Sequence, residues 1–221
     1  MNKDHFRLLF DQLEQQIKYA LFSKEHIDVL YIKEKCSKVT ATEDLGFWFY
    51  LRAYTLALVD INKLFYATKY NESGSAFSKR KEDREVFRRI ILGKNNEYAI
   101  SDYRNLRNAL EHIDQRIDEF NTSHLKISDT RKLLPSFVTN NRATVSIGLE
   151  NEIIEHKYGN KKYGDEENLN FCENFFYDKN EYVAYNERLS IDQSFREVKK
   201  LYDRVKQIKQ LLQNNKLDEL F

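Results

Sequence analysis

The sequence predicts a mainly α protein, an up-and-down helical bundle with a small antiparallel β insertion before its last helix. Three observations carry that prediction. One Pro and six Gly are all that interrupt 221 residues, so long helices meet few forced breaks. Apolar residues recur at spacings of three and four over several long stretches. Between about residues 135 and 191 that spacing gives way to short β-rich runs separated by turn signals. No Pro/Gly/Ser-rich linker divides the chain, so residues 1–221 are expected to form a single domain with the β-rich insertion at about 135–191.

Phe6, Leu9, Phe10, Leu13, Ile17, Ala20 and Leu21 mark an amphipathic helix from about Asp4 to Phe22. The run KEHIDVLYIKEK either extends it or forms a second short helix. Thr42, followed by Glu43 and Asp44, reads as the start of a second helix reaching about Thr68, because acids favour the first turn. Leu45, Trp48, Leu51, Tyr54, Leu58, Ile61 and Phe65 make it apolar almost all round, the pattern of a helix surrounded by others. YNESGSAFS has the composition of a loop, and KRKEDREVFRRIIL that of a helix with Val86, Phe87, Ile90 and Ile91 on its buried side.

Ser101 and Asp102 can cap the next helix, which runs to about Phe120 on a stripe of Tyr103, Leu106, Leu110, Ile113, Ile117 and Phe120. SFVT, ATVSIGL, EIIEHK and EYVAYNERLSI then read as strands, separated by Asn-Asn, Tyr-Gly-Asn and Asp-Lys-Asn turns. DQSFREVKKLYDRVKQIKQLLQ returns to helical spacing through Phe195, Val198, Leu201, Val205, Ile208, Leu211 and Leu212.

Charge and composition narrow the function. Thirty-six Lys and Arg stand against 35 Asp and Glu, and a net charge of +1 gives no overall field for a polyanion, so any nucleic-acid contact has to be local. Cys36 and Cys172 lie far apart, and the five His show no zinc spacing, so neither a disulfide framework, a metal nor another cofactor is expected. MNKDHFRLLFDQLEQQ carries charges where an export signal needs an unbroken apolar stretch, and Arg52 and Asp60 interrupt the longest apolar run. A cytoplasmic protein without a membrane partner is expected.

The stretch LRNALEHID carries the chemistry. With Leu106 facing the core, Asn108 and His112 are neighbours four apart on a face turned away from it, Arg104 precedes Asn108 by a turn, and Arg107 lies on a flank. Together they form a polar rim. The run Arg107-Asn108-Ala109-Leu110-Glu111-His112 resembles the R-x4-H motif of the HEPN family, including the asparagine that often follows the arginine in its ribonuclease members. The motif's place on a late helix of a bundle also fits, and some members carry a β-rich insertion before the last helix.

That resemblance implies a metal-independent endoribonuclease. The 2′-OH of RNA attacks its own phosphate, leaving a 2′,3′-cyclic phosphate and a 5′-OH. His112 suits proton movement near neutral pH. Arg107 suits the charge that builds on phosphate, since a guanidinium stays ionised and presents a planar fork. Asn108 would orient the histidine or donate to phosphate. The family also implies a homodimer with a composite cleft, an RNA substrate, and a toxin or abortive-infection role with a neutralising antitoxin protein. Some family toxins carry a tyrosine two residues after the histidine as an AMP-acceptor. Here that position is Asp114, which departs from the pattern and puts neutralisation by that route in doubt, and with Glu111 it adds negative charge beside the proposed phosphate site.

Two further groups belong to the expected site. Asp60 is an acid among apolar residues and needs a partner if buried; it is a candidate supporting acid, with a structural pair to an arginine as the plainer alternative. Arg80, Arg84 and Arg88 follow one another at four-residue steps and with Arg104 are candidates for tracking an RNA backbone, although Glu82, Asp83 and Glu85 offset the charge. The rival readings are a non-catalytic HEPN module that binds RNA, nucleotide or a protein partner, and a helical scaffold in which the motif is accidental.

Overall fold

The computed structural model describes residues 1–36, 41–67, 74–93, 106, 136–139, 142–147, 152–157, 173–176, 180–184 and 187–214. Among them the chain is mainly helical: α1 (Lys3–Cys36), α2 (Ala41–Phe65), α3 (Gly74–Leu92) and, after six strands, α4 (Ile191–Gln213). No described helix is long and apolar enough to cross a membrane.

α1 is one continuous helix, so the KEHIDVLYIKEK run extends it. Phe6, Leu9, Phe10, Leu13, Ile17, Ala20 and Ile27 are buried on one side. Ser23 and Lys24 are buried where the apolar spacing lapses, and the Lys24 ammonium lies over the Phe195 ring at 4.9 Å from its centroid. The stripe therefore continues through polar residues.

α2 buries Leu51, Tyr54, Leu58, Ile61 and Phe65 but is not enclosed on every side, because Phe49 is 66% and Leu56 52% exposed. Those two lie seven residues apart on the side that also carries Arg52. α3 begins at Gly74, so GSAFS is helical rather than loop. Its buried residues are Asp83, Phe87, Ile91 and Leu92, while Val86 and Ile90 are only part-buried. It stops at Gly93, whose φ of 76° and N–H bond to the Arg89 carbonyl at 3.0 Å close the last turn.

The strands are β1 (Ser136–Thr139), β2 (Arg142–Ile147), β3 (Glu152–Lys157), β4 (Glu173–Phe176), β5 (Glu181–Ala184) and β6 (Glu187–Ser190), in the sheet order β3-β2-β1-β4-β5-β6. Antiparallel pairing of β5 with β6 immediately precedes α4, with Glu181 opposite Ser190 and Ala184 opposite Glu187. β4 was not among the expected runs. It joins two antiparallel meanders by pairing with β1 in parallel, Phe137 opposite Phe175, so the insertion is a mixed sheet. Parallel neighbours need a long return connection, which is why local turn signals do not announce them.

The chain divides into two compact units. One comprises Met1–Glu25, Arg52–Arg104 and Ser194–Phe221; the other comprises His26–Leu51 and Asn105–Gln193. In the first, the Phe87 ring meets Phe6 edge-on at 5.6 Å and stacks on Phe65 at 5.8 Å. The Tyr54 and Ser194 hydroxyls, both fully buried, share a hydrogen bond of 2.8 Å. In the second, Phe47 and Trp48 pack edge-on against Phe175 and Tyr182 of β4 and β5, at 4.8 and 6.4 Å. Asn180, at φ 48°, turns the chain into β5; its side chain donates to Asp192 at 2.7 Å, and its carbonyl accepts from the Ile191 N–H at 3.0 Å.

Candidate functional site

Arg104, Arg107, Asn108 and His112 lie outside the described residues. Leu106, the residue from which their rim was placed, is helical and buried. The supporting residues Asp60 of α2 and Arg80, Arg84 and Arg88 of α3 are described, all in the first unit.

Asp60 sits on the flank of α2 with its side chain 43% exposed, and accepts a hydrogen bond from Lys63 Nζ at 3.1 Å. Partial exposure explains how an acid fits within LALVDINKLF: it points away from the buried stripe of Leu58, Ile61 and Phe65. The partner that this geometry shows is the lysine one turn on, not an arginine.

The arginine series of α3 turns toward the end of α2. Arg84 Nη1 donates to the Leu64 carbonyl at 3.2 Å, and the Arg88 guanidinium lies over the Tyr66 ring, 4.9 Å from its centroid. The carbonyls of a last helical turn carry partial negative charge and lack intrahelical donors, so a guanidinium is a natural cap. Arg80 is part-buried, with its guanidinium 5.9 Å from the centre of the Phe77 ring. The three-arginine face that reads in sequence as a phosphate track is thus joined to protein groups along its length.

The same helix holds a cluster that sequence reasoning missed. Asp83, assigned to the charged face, is buried, and Oδ2 accepts from His5 Nδ1 at 3.1 Å while Oδ1 lies 3.1 Å from the Met1 ammonium. Burial pushes this carboxyl up, but the ammonium and His5 outweigh it and hold the group below the usual aspartate range. A separation of 78 positions between His5 and Asp83 leaves no local signal for the pair. Among the described residues no group of three or more His, Cys, Asp and Glu is placed to hold a metal ion.

Compared with family models, curated proteins and solved structures, the chain matches none.

Proposed function

We propose that the chain is a metal-independent endoribonuclease of the HEPN type, acting as a homodimer, with a toxin or abortive-infection role and a protein antitoxin as its regulator. The observation that carries this reading is the run Arg107-Asn108-Ala109-Leu110-Glu111-His112 on an amphipathic stripe within a mainly helical chain. A sheet immediately before the last helix and the burial of Leu106 on the stripe support it.

In this mechanism His112 takes the proton of the 2′-OH as that oxygen attacks the adjacent phosphorus. The new 2′-O–P bond forms as the P–O5′ bond breaks, and the leaving oxygen takes up a proton to end as a 5′-OH. Arg107 holds the non-bridging oxygens as negative charge grows on them. Asn108 orients the imidazole or donates to phosphate.

The test is incubation of purified protein with end-labelled single-stranded RNA in EDTA. The expected result is 2′,3′-cyclic phosphate products, lost in His112→Ala and Arg107→Ala while the circular dichroism spectrum is unchanged. Cleavage at the wild-type rate by His112→Ala would remove the mechanism.

A further inference from the structure

Phe195, Lys199, Tyr202 and Lys206 of α4 follow one another at steps of four, three and four, which sets two rings and two ammonium groups in one row along the helix. The Lys199 ammonium lies over the Phe195 ring, 4.7 Å from its centroid, and that of Lys206 over the Tyr202 ring at 4.0 Å. Both rings are part-buried and both lysines exposed. Seven residues of helix set the rings about 10 Å apart along its axis.

Positive charge gathers on the same helix. Between Phe195 and Gln210 six Lys and Arg stand against two acids: Glu197, which is buried, and Asp203, which is exposed and 3.6 Å from Lys206. Arg204 and Lys209 are committed to the Ile90 and Ile91 carbonyls and to Glu14. Arg196, Lys199, Lys200 and Lys206 are at the surface. Lys200 holds Glu197 at 3.2 Å, and Arg196 and Lys199 have no acidic partner among the described residues. In a chain of net charge +1 this is a local field of the kind a polyanion needs.

We propose that this side of α4 binds a single strand of nucleic acid, its phosphates on Arg196, Lys199, Lys200 and Lys206 and its bases on Phe195 and Tyr202. Every base has a π-face for a ring, and a lysine displaced by a stacking base is left beside the strand's own phosphates, so each ring and its lysine meet both chemistries of a nucleotide. An anionic membrane would attract the same cations but needs exposed apolar side chains beside them. Among the described residues the large exposed ones lie on α1 and α2, none on α4. That the strand is RNA rests on the ribonuclease reading; that α4 takes a strand does not.

Fluorescence anisotropy of a labelled oligothymidine DNA tests the face apart from cleavage, because this probe has no 2′-OH to attack. The wild type is expected to bind it with an affinity that falls as salt rises. Changing Lys199→Gln and Lys206→Gln together is expected to make the log–log salt slope shallower by about 1.4, or about 0.7 for each cation on a single strand. Tyr202→Leu, which keeps apolar bulk without the ring, is expected to weaken binding on the order of tenfold. Asp203→Asn is expected to tighten it. Lys79→Gln with Lys81→Gln, at exposed positions of α3, controls for charge alone. No binding by the wild type, an equal loss in that control, unchanged binding in Tyr202→Leu, or equal binding of phosphatidylserine vesicles overturns the proposal. If Tyr202→Leu does not fold, the two exposed lysines still decide. Probe binding without RNA cleavage sinks the ribonuclease reading alone, and cleavage without probe binding sinks this one alone.

Discussion

Arg84 of α3 donates to the main-chain carbonyl of Leu64, 3.2 Å away in the last turn of α2. The bond ties the end of one helix to the middle of the next through a charged donor. Replacement by Ala is expected to destabilise the fold by about 1–2 kcal/mol, the range for a charge-assisted bond to a part-buried carbonyl. Lys79→Ala, at an exposed position of the same helix, is expected to stay within about 0.5 kcal/mol. Urea denaturation of both variants checks the difference, and equal midpoints would show that Arg84 does not cap α2.

Tyr54 and Ser194 lie 140 positions apart in sequence and share a 2.8 Å hydrogen bond in a fully buried setting. Tyr54→Phe keeps the ring and removes one partner, so a loss of about 1 kcal/mol and of about 2–4 °C in Tm is expected. A double-mutant cycle with Ser194→Ala should show coupling, because the second change removes a bond already absent. Strict additivity would argue against it.

Glu14 is held between Lys18 and Lys209. The hydrogen bond from Lys18, followed by that from Lys209, keeps its carboxyl below the usual glutamate range against the opposing effect of burial. A lowered carboxyl contributes stability above its unfolded titration range and loses it as pH falls through the folded one. Thermal melts should therefore show a steeper acid decline in the wild type than in Glu14→Gln. Both lysines are exposed, so the difference is expected to reach no more than about 1 kcal/mol and to shrink in high salt. Parallel acid limbs for the two proteins would contradict the assignment.

Gly93 ends α3 at a φ of 76°, and a Cβ placed there meets nothing within 4 Å. Gly93→Ala thus isolates the backbone cost of the left-handed conformation, about 1 kcal/mol. Gly74→Ala, where a Cβ also meets open space and no left-handed angle occurs, is expected to be neutral or slightly stabilising. Equal stabilities for the two variants would mean that α3 does not stop through Gly93.

What the sequence discloses is what repeats locally. The stripe from Phe6 to Ile17 and that from Val198 to Ile208 are legible because burial recurs every three or four residues, and SFVT and EIIEHK because β-rich residues cluster between turns. Buried polar groups follow no such rule. Lys24 sits on the buried side of α1 over a ring supplied by α4, and Asp83 is buried because His5 meets it from α1. Neither partner is near in sequence. The parallel pairing of β1 with β4 is likewise a long-range choice. Of the candidate site, the residue types in Arg107-Asn108 and His112 are legible, and the surroundings of Asp60, Arg84 and Arg88 are not, since their neighbours are fixed by how helix ends meet.

Ser190 is both the last residue of β6 and the acceptor, through Oγ, of the Gln193 N–H at 3.3 Å, so the strand passes into α4 with no spacer. Such a junction has no slack. One residue inserted between Ser190 and Ile191 would draw the Gln193 N–H away from Ser190 Oγ and the Ile191 N–H away from the Asn180 carbonyl, undoing both bonds that start α4. Length at this joint is as strictly constrained as chemistry is in the core.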